Sequence, residues 1–342
     1  MRRIPLFPPM PENATARSSN PVSGLGNGSA RAISVDVAAP PSVILRMRTQ
    51  RDTGSAGMSV RSMVWMTWLL VIASVHAGAA SAQTRIFRDD FNGAAGSTPS
   101  QWWVEDHYQG RGKFGQAGWV NGSGAMDVSV GRYNASAPGV LAQTSMRTQR
   151  LFQPSPGRVL DFRIRARIWG QDQRGIVTAF FLYSQGQRNG AFRSDEADIE
   201  WLTNAAANRT DDSMLISTWH NWNRDDPHYD IDQHPQFGTQ ISRLEPLGFD
   251  IGGWQTYTIR WGQGVLEFFV DQPNGQWRYI GGYYGGQVPT QPMHLFVNAW
   301  APDSSWSQAF DASLQPTSNP AQQAWHGMSV DWIEVLDRPS PN

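Results

Sequence analysis

The amino-acid sequence predicts an all-β protein in which antiparallel sheets pack face to face as a sandwich. Short runs of alternating apolar and polar residues recur after residue 83, separated by Gly, Pro, Asn and Asp, and no long amphipathic helix competes with them. The 342 residues include 33 Gly and 22 Pro, which implies many turns. About 260 residues follow position 82, which is ample for one large core.

Seven segments carry the strand pattern most clearly. In chain order they are residues 159–169, 176–183, 197–202, 256–261, 265–271, 294–300 and 329–336. In the first, Phe162 and Ile164 alternate with Arg163 and Arg165, which is the two-residue period of a strand with one buried face. We therefore expect each segment to present an apolar face to a shared core.

The N-terminal 57 residues have a different composition. They are rich in Pro, Ser, Gly, Asn and Arg without a sustained period, so they cannot bury enough apolar surface to offset their chain entropy. We expect a disordered segment. A further hypothesis is that translation starts at Met58 and that residues 1–57 are a mis-annotated extension.

Residues 58–82 have the pattern of a secretory signal peptide. Arg61 precedes an apolar run over 63–75, and small residues occupy 79–82. The run of about 13 residues is shorter than the ~20 that a spanning helix needs, although a membrane anchor is the alternative. We expect a secreted protein, extracellular or periplasmic, with no membrane contact after cleavage and with residues 83–342 as a single domain.

The overall charge argues against a nucleic-acid partner, because 28 basic residues balance 29 acidic ones. The absence of cysteine excludes disulfides, thiolate zinc sites and a cysteine nucleophile. We expect a monomer.

The most informative segment is residues 194–202, Ser-Asp-Glu-Ala-Asp-Ile-Glu-Trp-Leu. On a strand, three of its carboxylates share one face, and we call them the acidic triad: Glu196, Asp198 and Glu200. The residues between them, Ala197, Ile199 and Trp201, then face a core. Like charges on one face are destabilising, and no Lys or Arg lies between them. A solvated outer face is the alternative, but three carboxylates in line favour a functional site.

The spacing of Glu196 and Glu200 allows two kinds of carboxylate pair. Positions i and i+4 of a strand lie about 13 Å apart at Cα, and leaning side chains on a concave face close most of that gap. A retaining glycosidase needs about 5–5.5 Å between carboxyls, and an inverting one about 6.5–9.5 Å. The sequence leaves both open.

The segment Glu196-Ala-Asp-Ile-Glu200 resembles the E-x-D-x-E signature of glycoside hydrolase family 16, the laminarinase, lichenase and xyloglucan transglycosylase group, in its regular-strand form. Similarity extends over most of residues 87–337, including 175–183, 254–271, 293–300 and 330–335. The resemblance implies a concanavalin A-like β-jelly roll of two antiparallel sheets with a concave substrate cleft. It also implies that 83–342 is a catalytic domain.

By the same resemblance, Glu196 is the nucleophile, Glu200 the acid/base, and Asp198 tunes the protonation of both. The implied substrate-binding residues are Trp300, Asn298, Phe181, Tyr183 and His220, for which core packing is the alternative. Ser194 departs from the family, because lichenases carry a stacking Trp there and the xyloglucan group a His. An aromatic surface is therefore missing or supplied elsewhere.

A structural Ca²⁺ is a further implication of the resemblance. Asp331 matches the family's calcium-binding Asp, and Asp89 or Asp90 could assist. The residues between Trp219 and Phe237 include several His and Asp, but their spacing fits no zinc or EF-hand pattern. We expect no cofactor to be required for catalysis.

The resulting prediction is a secreted, endo-acting, retaining glycoside hydrolase that cleaves β-1,3 and/or β-1,4 linkages in a glucan-like polysaccharide. A transglycosylase using the same residues is one alternative. A non-catalytic carbohydrate-binding module is another, although such a module has no use for the repulsion within the acidic triad.

Overall fold

Almost all regular structure is β-strand in the computed structural model, which describes residues 83–116, 118–188, 191–206, 212–222, 239–271 and 275–341. The predicted extension and signal peptide, residues 1–82, lie outside the described residues, as does 223–238 of the polar segment. No helix in the described part of the chain is both long and apolar enough to cross a membrane.

Seventeen strands are described, and their bounds follow. They are β1 (Thr84–Asp89), β2 (Trp102–Val104), β3 (Tyr108–Gln109), β4 (Gly112–Gln116), β5 (Trp119–Val120), β6 (Met126–Gly131), β7 (Leu141–Phe152), β8 (Arg158–Trp169), β9 (Val177–Arg188), β10 (Ala191–Leu202), β11 (Ser213–Trp222), β12 (Thr239–Pro246), β13 (Gln255–Gly262), β14 (Val265–Asp271), β15 (Trp277–Tyr284), β16 (Met293–Trp300) and β17 (Trp325–Pro339). A short 3-10 turn, Gly285–Gln287, precedes β16.

The strands form two layers. One layer has the order β12-β11-β10-β9-β16-β7-β2, and the other has the order β15-β14-β13-β8-β17-β1. Strand β6 pairs with both β17 and β7, so it joins the layers at one edge. The short β4 runs parallel to β7, whereas the pairings within both layers are antiparallel. This is the predicted all-β jelly-roll sandwich, nearly closed on itself.

The core fills the space between the layers. Trp201 of β10 contacts Tyr257 of β13 edge to face, with ring centroids 4.7 Å apart, and Phe162 of β8 lies 6.5 Å from Trp261. All four side chains are buried. Because side chains alternate along a strand, the opposite face of the first layer is left for a site.

The seven predicted strands are all present. The predicted 265–271 coincides with β14, and 159–169 differs from β8 by one residue. Residues 197–202 are the end of the longer β10, and 329–336 is the centre of β17. The additional strands are mostly short or edge segments, where the apolar alternation is weak.

The outer face of the second layer carries a network of charged residues. Asp161 of β8 is fully buried and accepts hydrogen bonds from Arg260, at 2.7 and 3.3 Å, and from Arg338, at 2.7 Å. The predicted outward arginines of β8 take part as well, and Arg163 bonds Glu334 and Asp271, at 2.8 Å each. A buried carboxylate needs such partners to remain charged.

Candidate active site

Strand β10 carries the acidic triad at the centre of the first layer. It pairs with β9 on one side and with β11 on the other. The side chains of Ala197, Ile199 and Trp201 are fully buried in the core. The triad therefore points together toward the face away from the core, as the alternation predicted, and this face is called the triad face below.

Each triad member has direct neighbours in the flanking strands. Glu196 lies between Trp219 of β11 and Tyr183 of β9. Asp198 lies between Ser217 and Phe181, and Glu200 lies between Leu215 and Ala179. In an antiparallel pair, directly opposed residues share a face, so these neighbours form the immediate walls and floor of the site.

The three carboxyls differ in exposure. Glu196 and Glu200 are partly exposed, whereas Asp198 between them is 4% exposed. The Ser217 hydroxyl donates a hydrogen bond to Asp198 Oδ2. The two glutamates can thus reach a ligand. The buried aspartate instead influences their protonation through its charge.

All three carboxyls hold protons more tightly than free carboxyls do. Burial, then the charges of Asp198 and Glu200, raise the pKa of Glu196 well above its ordinary range. Burial and then the charge of Asp198 do the same to the pKa of Glu200. Burial raises the pKa of Asp198 to about 7, although hydrogen bonds with Ser217 and Glu196 oppose that rise. The triad therefore shares protons near neutral pH.

The predicted aromatic residues of β9 lie on the triad face but are packed. Phe181 stacks on Phe296 of β16 with ring centroids 4.8 Å apart, and Tyr183 meets the same ring edge to face at 6.0 Å. Both are only 2% exposed. The Tyr183 hydroxyl donates to Gln185 Oε1 at 3.0 Å. They form the floor beside the triad, and direct sugar contact stays a prediction.

Asn298 and Trp300 of β16 also point to the triad face. Asn298 lies opposite Ala179, the direct neighbour of Glu200, and is buried. Trp300 is buried as well and packs against Trp306, with ring centroids 5.8 Å apart. Substrate binding by these two residues stays a prediction, because each is largely covered by its own neighbours.

His220 does not join the triad face. Its Nδ1 lies 2.7 Å from Gly286 O and its Nε2 lies 3.4 Å from Thr290 Oγ1. The neighbouring Thr218, directly opposite the buried Ala197, donates to the adjacent Gln287 O at 2.6 Å. The imidazole therefore lies against the turn before β16, on the other side of the layer from Glu196.

Three features of the site were missed in the sequence. Trp219 and Trp222 both face the triad side, because an extra residue is inserted in β11. Arg147 of β7 lies under Trp103 of β2, with its guanidinium 4.8 Å from the ring centroid. Asp195 is fully buried and binds three backbone amides. Regular alternation places 219 and 222 on opposite faces, so the pattern gave no signal for the first feature.

The carboxylates predicted to assist calcium binding accept hydrogen bonds within the protein. Asp331 accepts a hydrogen bond from Arg165 Nη1, and Asp89 accepts from Phe91 N at 3.0 Å and Trp102 Nε1 at 2.9 Å. Within the described ranges, no three His, Asp or Glu side chains are grouped so that they could hold a metal ion. Calcium is also bound through backbone carbonyls, so calcium at Asp331 stays a prediction. We derive no step through calcium.

Comparison with known proteins agrees with this site. The sequence model described as "Glycosyl hydrolases family 16" matches residues 157–334, slightly more than half of the chain. The curated xyloglucan endotransglucosylase/hydrolase protein 2 of Arabidopsis thaliana is 27% identical over 140 residues. That match spans 41% of this chain and 40% of the relative, so it covers well under half of either protein.

Solved structures share the fold. The endo-1,3-β-glucanase of Streptomyces sioyaensis superposes with a TM-score of 0.53 at 20% identity, covering 75% of this chain and 97% of that one. A Mycobacterium tuberculosis protein described as an immunostimulatory antigen and pseudo β-1,3-glucanase gives 0.51 at 18%, covering 74% and 98%. At these identities the likeness concerns the fold alone.

The fold and the triad thus define a carbohydrate-active protein with a carboxylate site on one sheet face. The chain belongs to glycosyl hydrolase family 16. Activity on O-glycosyl bonds is what the family's name describes, and it is proposed for this chain below.

Proposed function

We propose that the protein is a secreted, endo-acting, retaining glycosidase that cleaves β-1,3 or β-1,4 linkages of a glucan-like polysaccharide by double displacement. The observation that carries the proposal is the acidic triad on one strand. Two partly exposed glutamates flank a buried aspartate, and all three carboxyls have raised pKa values. Secretion rests on the signal-peptide pattern of residues 58–82.

The first step requires one glutamate to be charged and the other protonated. The Glu196 carboxylate attacks the anomeric carbon while the Glu200 carboxyl donates its proton to the departing glycosidic oxygen. A glycosyl ester forms on Glu196 and the scissile C–O bond breaks. Burial and the charge of Asp198 raise the pKa of Glu200, which favours the protonated form that the donor needs.

The second step uses the change of charge on Glu196. Once Glu196 is an ester, its negative charge is gone, so the pKa of Glu200 falls and its carboxylate can accept a proton from water. The water oxygen attacks the anomeric carbon and Glu196 leaves as a carboxylate. Asp198, hydrogen-bonded to Ser217 and interacting with Glu196, keeps the total charge of the triad low through both steps.

A β-glucan substrate is supported by the relatives. The Streptomyces protein is named as an endo-1,3-β-glucanase, and the Arabidopsis protein is named for activity on xyloglucan. Arg147, a cation on the triad face, is neutralised by Glu105 through a 2.7 Å contact. A neutral polysaccharide therefore fits this face better than a strongly anionic one.

A transglycosylase is the second candidate. The Arabidopsis relative is named for both transfer and hydrolysis. Both outcomes share the glycosyl ester on Glu196 and differ only in whether water or a sugar hydroxyl attacks it. Product lengths measured with and without added acceptor oligosaccharides separate the two.

The test of the proposal is Glu196→Ala. Loss of the nucleophile should reduce turnover of a glucan at least about a thousandfold. Azide should then restore turnover of an activated β-glycoside and yield a glycosyl azide of inverted configuration, because the small anion replaces the missing carboxylate. Product configuration is read by proton NMR.

The matched control is Glu245→Ala, which removes a carboxylate of β12 that lies near Arg243. It should keep full turnover. A folded Glu196→Ala enzyme that retains its activity would remove Glu196 from the role of nucleophile. Before either variant, a reducing-sugar assay over lichenan, laminarin and xyloglucan identifies the polymer.

A further inference from the structure

The pairing of β10 with β11 is irregular beside Glu196. Glu196 lies opposite Trp219, but Ser194 lies opposite Trp222, so two steps along β10 correspond to three along β11. The extra residue produces a β-bulge in β11, and Asn221 within it has φ of 51°. A non-glycine residue in this left-handed region needs support from its surroundings.

Two side chains of β10 hold the bulge. Asp195 Oδ1 accepts a hydrogen bond from Asn221 N at 2.7 Å, and Arg193 Nη1 donates to Asn221 O at 3.1 Å. The other oxygen of Asp195 accepts from Thr290 N at 2.7 Å and Gln291 N at 3.0 Å. The bulge is therefore fixed both to β10 and to the segment that leads into β16.

The bulge brings two tryptophans to the triad face. In a regular strand, residues three apart point to opposite faces. Here the extra residue in β11 puts both side chains on the same face. The ring centroids of Trp219 and Trp222 lie 4.5 Å apart, with an interplanar angle of 78°. Both side chains are partly exposed. They form a corner with two nearly perpendicular aromatic walls directly beside Glu196.

We propose that the corner of Trp219 and Trp222 binds the pyranose ring next to the scissile linkage. The inference deepens the proposed function and rests on it. A β-glucose ring has equatorial hydroxyls and apolar C–H faces, so one face stacks on one indole while the ring edge meets the other.

The small residue at position 194 is consistent with this role. Ser194 is directly opposite Trp222 and only 5% exposed. An aromatic side chain at 194 would compete with the Trp222 indole for the same space. The aromatic surface that Ser194 lacks is thus supplied by the neighbouring strand.

The test measures binding without turnover. In the Glu196→Gln background, calorimetry gives the dissociation constants of laminarihexaose and cellohexaose. Trp222→Ala should weaken binding of the preferred sugar at least about tenfold, a change typical of losing one well-packed aromatic contact. Trp222→Phe should stay within about threefold of the parent, because it keeps an aromatic face.

Two comparisons distinguish stacking from other effects. Trp222→Leu keeps an apolar side chain but no ring, so it should bind as weakly as Trp222→Ala, and it serves as the test if the alanine variant does not fold. The control is Trp254→Ala, which removes a partly exposed indole stacked by Arg165 and Arg167 near the start of β13. It should leave binding unchanged.

The outcomes separate the inference from the proposed function. If the Glu196→Gln parent binds and the Trp222 variants bind equally well, the corner is structural and the inference fails alone. The inference is also overturned if Trp222→Leu binds the sugar as tightly as Trp222→Phe. The same holds if Trp254→Ala weakens binding as much as Trp222→Ala does. If the parent binds neither sugar and the unsubstituted enzyme cleaves no glucan, the proposed function fails and the inference fails with it.

Discussion

At the scale of single residues, the chemistry depends on a hydrogen bond to the middle carboxylate. The Ser217 hydroxyl donates to Asp198, and this bond favours the charged form of a side chain whose burial favours the neutral form. The balance leaves the pKa of Asp198 at about 7. Because Asp198 acts on both glutamates, the protonation of the whole triad depends on Ser217.

Ser217→Ala should therefore move the basic limb of the pH dependence of activity downward. Without the hydroxyl, the pKa of Asp198 rises further, so Asp198 stays neutral to higher pH and its charge no longer raises the pKa of Glu200 over that range. The basic limb of the kcat/KM profile, which the proton of Glu200 sets, should shift by about half a unit to one unit. The measurement is kcat/KM against pH on the preferred glucan. Ser242→Ala, at an exposed position opposite Ser217 on β12, is the control and should leave the profile in place.

At the scale of elements, the pairing of β10 with β11 depends on one buried carboxylate. Asp195 ties the bulge at Asn221 to Thr290 and Gln291, which precede β16. It thereby connects three strands of the first layer at the end nearest Glu196. The position of the tryptophan corner follows from this connection.

Asp195→Ala should destabilise the protein by about 3–5 kcal/mol, because three backbone amides lose a shared buried acceptor. Urea unfolding at pH 7 measures the free energy of unfolding. Asp303→Ala, which removes an exposed carboxylate that accepts from Ser305, should cost less than about 1 kcal/mol. Equal stability of the Asp195→Ala and unsubstituted proteins would mean that the bulge holds itself without the carboxylate.

At the scale of the whole molecule, the triad lowers stability in the pH range where it works. Folding raises the pKa of Asp198 from an ordinary value of 3.8 to about 7, so the folded protein binds this proton more tightly than the unfolded chain. The corresponding stability is present below about pH 3.8 and is lost as pH rises through 7. The two-layer core has to offset this loss.

Asp198→Asn should therefore stabilise the protein more at pH 8 than at pH 4. The amide carries no charge at either pH, so the variant should gain about 2–4 kcal/mol relative to the unsubstituted enzyme between the two conditions. Denaturant unfolding of both proteins at pH 4 and pH 8 gives the change in the free energy of unfolding. A packing effect of the amide that is the same at both pH values cancels when the two changes are subtracted. A difference of zero would contradict the raised pKa of Asp198.

Much of the fold could be predicted from local pattern. The alternation of Phe162 and Ile164 with Arg163 appears in β8, with the apolar pair buried. The triad shares one face because Ala197 and Ile199 alternate with it and are buried. These features follow from a two-residue period, which a sequence displays directly.

The placement of His220 could not be predicted in the same way. The family resemblance implied a position in the cleft, whereas the imidazole lies against Gly286 and Thr290. The bulge that rearranges this part of β11 depends on amides of Thr290 and Gln291, which are about 95 residues from Asp195 in the chain. Local periodicity carries no information about such a distant contact.

The sequence by itself determined the all-β class, the strand that carries three carboxylates and the side of that strand on which they lie. Tertiary structure alone decided which residues surround them: Ser217 opposite Asp198, Phe296 against Phe181, and Trp222 opposite Ser194. The physical reason is that the alternation within a strand determines which side chains share a face. Which residues of the adjacent strands lie beside them depends on the pairing register. Here that register depends on hydrogen bonds between segments far apart in the chain.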